Sequence, residues 1–362
     1  MWAAGPRRRR WVQRKLVFSL VPVLVIAGVF ELGARLLNLA PELSPPDEGT
    51  PLQAHPERMW ALATGSFELD GGGYTVGEDG LRLTEDEGKD LRVLTLGDSS
   101  IFGHGLSDAD TLHEQLEESL AESGVQVDVS CGGVPGYSTL QVGLLLRDVG
   151  WDLEPRLLVL GSLWSDNQHE FFVDQEWLDA LARPAWRMEF FLDRSHFWRW
   201  VRRFSLSSGQ TDIPVGWIRA PYSKRDRRVP LNAYAQAVDA LLVEAASRGV
   251  GVVILAPANR ERLETDHVLH PWDDYFHALE QVAAHRSVLV VDAAELIRRA
   301  GLTLDEAFLD RLHPSSATNA VYAAGLTEAL VGSGWPSNSL LPDRSPPSFE
   351  ADFVDRWIEG LE

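Results

Sequence analysis

The chain is predicted to be an α/β protein, a parallel sheet with helices on both faces. Two observations carry this. Short aliphatic runs alternate with segments of helical periodicity over most of the chain. Within that alternation, residues 91–105, LRVLTLGDSSIFGHG, read as a buried strand (Val93, Leu94, Leu96) that stops at a glycine and passes a serine into a turn. A third feature stands apart from the fold: residues 16–30, LVFSLVPVLVIAGVF, carry no charge and follow four consecutive arginines.

Taken in order, residues 1–15 form a basic segment and residues 16–38 a helix of the length that spans a bilayer. Arg7, Arg8, Arg9 and Arg10 place that basic end in the cytoplasm, and no small-residue cleavage site follows. The expected topology is an uncleaved single-pass anchor with the body outside, periplasmic in a Gram-negative cell. A cleaved secretory signal and a buried core helix are the alternatives. Residues 39–90 read as a stalk and lead-in, with 40–56 rich in proline and acid. The first 40 residues carry +6 and the remainder about −26, so an acidic body argues against nucleic acid as a partner. Cys131 is the only cysteine, which excludes an internal disulfide and leaves a small buried filler.

Beyond the first strand, helical spacing over 111–123 (Leu112, Leu116, Leu120) precedes a second strand at 125–129. Further strands are expected at 157–160, 252–255 and 288–291, and helices at 233–246, 274–285 and 317–330. Residues 170–230 are too long for a plain crossover and interleave Trp177, Trp186, Phe197, Trp198, Trp200 and Phe204 with arginines. They form either a helical subdomain with its own aromatic core or a lid or membrane-facing surface. Residues 332–362 read as a proline-bearing linker and a short amphipathic helix through Phe349, Phe353, Trp357 and Leu361.

Gly97-Asp98-Ser99 near the front and Asp310-x-x-His313 near the back together resemble the GDSL, or SGNH, hydrolase family, over residues 91–331. Gly-x-Ser-x-Gly, the sign of the other large serine-hydrolase fold, is not the pattern here. The resemblance implies a three-layer α/β/α, flavodoxin-like parallel sheet, the SGNH hydrolase fold, here behind an N-terminal transmembrane helix. Residues 76–83 resemble the lead-in that some members carry before the first strand.

Chemistry follows from residue types. A serine hydroxyl needs a base to attack an ester; Ser99 is the candidate nucleophile, His313 the base and Asp310 its orienting carboxylate. His104 has no acid three residues before it, and His113 falls on the expected helix surface, so neither is the expected base. For the oxyanion, the Ser99 N–H is one candidate donor, and by resemblance Gly136 supplies another. The family's third donor is an asparagine followed by aspartate. Here the text is Ser165-Asp166-Asn167, which puts Ser165 at that place, or Asn167 if the loop shifts. No ligand cluster implies a metal, and no cofactor is expected. The expected function is a membrane-anchored serine ester hydrolase or acyltransferase acting on a small-molecule, glycan or lipid ester. The alternative is a non-catalytic member of that fold that binds glycan or lipid at the envelope.

Overall fold

A computed structural model describes residues 21–350, apart from 23, 38, 40–51, 70–71, 85–87, 171, 185–187, 189–190, 193–194, 206–225 and 265–271. Five apolar segments form one sheet: β1 (Arg92–Gly97), β2 (Asp128–Gly133), β3 (Leu157–Gly161), β4 (Gly251–Ala256) and β5 (Leu289–Asp292). Their spatial order is β2-β1-β3-β4-β5, every pairing parallel. That is the flavodoxin-like order, whose strand order reverses between β1 and β3 and opens a crevice at their carboxyl ends.

Alternation along the strands divides the core. Val93, Val129, Val159 and Leu255 face a cluster with Leu116, Leu120, Leu326 and Leu330, from the helices Leu112–Glu122 and Ser316–Gly332. Leu94, Leu96, Leu158, Leu160 and Ile254 are equally buried and face the other way. There the helices Thr139–Asp148, Leu231–Ser247 and Asp273–His285 cover them. Each such aliphatic side chain contributes about 1.5–3 kcal/mol on burial, so two covered faces account for the central strands being uniformly apolar.

The second strand departs from expectation. It starts at Asp128, which pairs with Arg92, and runs on to Gly133. Val125 instead donates its N–H back to Leu120 O, closing the preceding helix. The stalk also differs: Leu52–His55 pairs antiparallel with Met59–Leu62, a hairpin whose second strand is wholly buried. The apolar run Met59-Trp60-Ala61-Leu62 is what holds this part of the lead-in down. A second hairpin, Gly65–Leu69 with Gly72–Val76, follows.

The chain divides into two compact units, Pro45–Ala180 with Ala220–Glu362, and Met1–Ser44 with Leu181–Arg219. The aromatics of 170–230 divide accordingly. Trp177 is fully buried in the larger unit, its ring 5.9 Å from Trp60 and 5.0 Å from Phe172. The smaller unit contains a helix over 21–36 and the helix His196–Ser205. Among the described residues no helix is long and apolar enough to cross a membrane. Residues 16–20, where the expected span begins, lie outside them.

After the last helix, the linker is strapped to the larger unit. Val252 N–H donates to Leu340 O. The buried Arg286 pairs with Asp239 and donates to the carbonyls of Asp343, Pro346 and Pro347. The expected helix through Phe353, Trp357 and Leu361 lies outside the described residues.

Candidate active site

Three glycines set the height of the site. Gly97 is the register partner of both Gly133 and Gly161, so the carboxyl ends of β1, β2 and β3 are bare at one level. A methyl on Gly133 would lie 2.3 Å from Phe102 N, and one on Gly97 would lie 2.4 Å from Gly161 O. The helix Ser99–Phe102 therefore rests directly on the strand ends. Asp98 caps it, Oδ1 accepting the Ser100 N–H at 3.0 Å. Burial pushes the Asp98 carboxyl above its ordinary value; the Ser100 N–H, His313 and the Ser165 N–H offset this in part.

The helix exit is pinned by a buried arginine. Arg82 donates to the carbonyls of Phe102, Gly103 and Leu106 and pairs with Asp108. Its guanidinium lies over the rings of Tyr74 and Phe102, at 5.0 and 5.1 Å. The loop so fixed presents His104, whose ring centroid is 4.7 Å from that of His313.

His313 arrives from the far end of the sequence on a turn that folds on itself. Asp310 Oδ1 accepts the N–H groups of Leu312 and His313, at 2.7 and 2.8 Å. Its Oδ2 lies 2.7 Å from His313 Nδ1, and His313 Nε2 lies 2.8 Å from Ser99 Oγ. A carboxylate only accepts, so Nδ1 carries the proton and Nε2 receives the serine O–H. Burial pushes the Asp310 carboxyl up, but the His313 N–H, the imidazole and the Leu312 N–H outweigh it and leave it below its ordinary value. The three residues predicted to act together thus form one hydrogen-bonded chain. His113 does not join it. It is fully buried rather than on the helix surface, against Thr111 Oγ1 at 3.0 Å, and burial lowers its pKa to about 3.

On the opposite side, the loop after β2 is held from three directions. Trp60 Nε1 donates to Pro135 O at 3.0 Å, and Tyr137 donates its hydroxyl to Trp60 O at 2.6 Å. Gly136 has φ +75°, the left-handed region that suits glycine, and a methyl there would meet the Trp60 ring at 3.3 Å. Pro135 O and Gly136 N–H belong to one trans peptide and point opposite ways, so the bond to Trp60 fixes the direction of that N–H. The third hold is Arg228, buried against Asp174 through two hydrogen bonds of 2.9 and 2.7 Å. It donates to Gly136 O at 2.6 Å and to Gln141 Oε1 at 2.8 Å.

Ser165, Asp166 and Asn167 lie in the short helix Trp164–Asn167 after β3. The Asn167 amide donates to Leu163 O of its own turn at 3.2 Å. Ser165 is buried, its N–H facing the Asp98 carboxylate. Asp166 accepts the Thr139 N–H at 2.9 Å and the Thr139 hydroxyl at 3.1 Å, which ties this helix to the helix Thr139–Asp148. Burial raises its pKa to about 8; the Thr139 N–H opposes the rise, and Asp174 adds to it. Among the described residues no group of three or more His, Cys, Asp or Glu side chains is placed to hold a metal ion. Cys131 is fully buried, and burial lifts its thiol to about 11.

Sequence reasoning missed Trp60, Arg82 and Arg228. Trp60 follows the proline-rich residues 40–56, and no spacing or motif in the sequence marks the two arginines.

No family model matches the chain, and no curated protein matches it. Solved structures to which this chain is similar include an α/β hydrolase from the metagenome of Lake Arreo, 18% identical over 66% of this chain and 94% of that one, TM-score 0.45. Two others are a lipase/acylhydrolase from Enterococcus faecalis (14% identity, 67% and 96% covered, TM-score 0.43) and an acetylxylan esterase from Geobacillus stearothermophilus (16%, 67% and 94%, TM-score 0.43).

Proposed function

We propose that this chain is a serine ester hydrolase that cleaves a carboxylic ester through an acyl-enzyme. The observation that carries the reading is the chain of two hydrogen bonds, 2.8 and 2.7 Å, from Ser99 Oγ through the His313 ring to Asp310. Ser99 Oγ attacks the carbonyl carbon as its proton passes to His313 Nε2; the same proton then leaves with the alcohol, and an acyl-serine remains. Water repeats the sequence, giving its proton to His313 and releasing the acid. Asp310 holds the imidazolium by accepting from Nδ1. The oxyanion is held by the Ser99 N–H, the Gly136 N–H and a donor from Ser165, each of the kind that supplies a few kcal/mol.

If a sugar hydroxyl replaces water in the second half, the same residues transfer the acyl group. The substrate class is therefore a small-molecule, glycan or lipid ester, and a product assay with and without a polysaccharide acceptor separates the two outcomes. Residues 16–38 serve in this reading as a single-pass anchor with the body on the extracytoplasmic side.

One observation favours a second reading, a non-catalytic glycan- or lipid-binding protein. By the resemblance either Ser165 or Asn167 stands where the family has its asparagine, and the Asn167 amide is committed to Leu163 O. Hydrolysis of p-nitrophenyl acetate, measured beside Ser99→Ala, decides between them. Turnover lost in the variant is the expected result; equal rates remove the hydrolase reading.

A further inference from the structure

The apolar stretch 16–30 ends at Glu31, the first charged residue after it, and a carboxylate there is costly unless paired. In the smaller unit its partners are specific. Glu31 Oε2 accepts the Ser195 hydroxyl at 2.6 Å and the Phe197 N–H at 3.1 Å, while Oε1 accepts the His196 N–H at 3.1 Å and Arg35 Nε at 2.7 Å. Ser195 Oγ in turn accepts the Trp198 N–H at 3.1 Å. The amino end of the helix His196–Ser205 is thus capped twice, once by its own serine and once by a carboxylate from the helix over 21–36. The Phe30 ring stacks on Phe197 with centroids 4.9 Å apart, beside the carboxylate contact.

The capped helix has the sequence HFWRWVRRFS. In the sequence Phe197, Trp200, Val201 and Phe204 recur at i, i+3, i+4 and i+7, and Arg199, Arg202 and Arg203 follow the same i, i+3, i+4 spacing two residues on. Residues 181–205 hold six arginines against Glu189 and Asp193, a local +4 in a chain of net −20. Apolar side chains stay uncovered in this unit: Phe191 is 68% and Leu36 76% exposed. A short helix whose sequence spaces aromatics and arginines in this way matches the head-group layer of a bilayer, and its charge selects anionic lipid.

We propose that the helix His196–Ser205 lies in the head-group layer of an anionic membrane, clamped to the emerging anchor by Glu31. This rests on the anchor reading above. The test uses the full chain reconstituted in vesicles, with Val201→Cys carrying an environment-sensitive fluorophore; Cys131 is fully buried and does not compete for the label. In vesicles containing phosphatidylglycerol, a shallow spin-labelled lipid quenches the probe. Quenching falls at least about threefold in pure phosphatidylcholine and in the variant Arg199→Glu/Arg202→Glu/Arg203→Glu, and returns when the three are lysine. Glu31→Gln lowers it by a similar factor while the protein still floats with the vesicles. A probe that is unquenched on floating protein, or equally quenched in both lipids, overturns the proposal and leaves the anchor standing. Protein that does not float at all overturns the anchor reading itself.

Discussion

The two sides of the crevice are built differently. On the histidine side every bond is local or direct: Asp310 reaches His313 across three residues, and His313 reaches Ser99 through one contact of 2.8 Å. On the loop side, direction comes from groups far away in sequence. Trp60 and Arg228 orient the Gly136 peptide from 75 and 92 residues away. In the proposed mechanism one side carries the proton chemistry in its own side chains; the other borrows geometry from the lead-in hairpin and the segment after the insertion. A change on the first side should therefore abolish turnover without unfolding the protein, and a change on the second should couple activity to stability.

The largest expected effect is Ser99→Ala, with His313→Ala beside it: kcat/KM on an ester probe falls by about 10⁴-fold, while Tm moves little. A collapsed melting transition in His313→Ala would place the imidazole in packing instead. Asp310→Asn should cost roughly 10²–10⁴-fold, since the amide no longer fixes the Nδ1–H tautomer. The lowered pKa of Asp310 keeps it ionised down through the ordinary carboxylate range, so its contribution is lost as pH falls through the native value.

On the other side, Arg228→Met leaves Asp174 buried and unpaired. It should lower stability by about 3–5 kcal/mol and reduce turnover together, read by denaturant titration and kinetics on one sample. Trp60→Phe removes the indole N–H that holds Pro135 O together with part of a buried ring, so a loss of about tenfold in kcat and a lower Tm are expected together. Unchanged kcat would detach Gly136 from the oxyanion. The smallest effect is Ser165→Asn, expected to hold or raise activity by up to about tenfold. A large loss would show that the serine, in its buried seat, cannot be widened.

Asp166 separates the sides by pH. A buried carboxyl raised to about 8 favours the protonated form, so native stability declines as pH climbs from about 4 to about 8. Asp166→Asn removes the ionisation while its carbonyl still accepts from Thr139. Its Tm should overtake that of the parent across this window; parallel Tm curves would mean that Thr139 and Arg228 already hold the carboxylate charged.

The histidine side was legible in the sequence because its residues are local in the chain or carry a familiar spacing. Val93, Leu94 and Leu96 announce a buried strand, and Asp310 and His313 announce each other. The alternation of strands and helices also gave the layers. What the sequence hid is long-range satisfaction of buried charge. Arg82 and Arg228 look like surface arginines until three carbonyls and a carboxylate are seen converging on one of them. The start of the second strand was hidden for a related reason. Val125 and Val127 are apolar as a strand requires, but the ladder begins where Asp128 meets Arg92. Trp60 was obscured by its place just after residues 40–56, which read as an extended stalk.

The bare level at Gly97, Gly133 and Gly161 has a consequence for anyone redesigning specificity. The altitude of the Ser99 hydroxyl is a main-chain dimension, since a methyl at Gly133 would press on Phe102 N at 2.3 Å, where no rotamer can yield. In the proposed hydrolase, substrate scope can then be altered only from the surrounding loops, and the floor must be inherited intact.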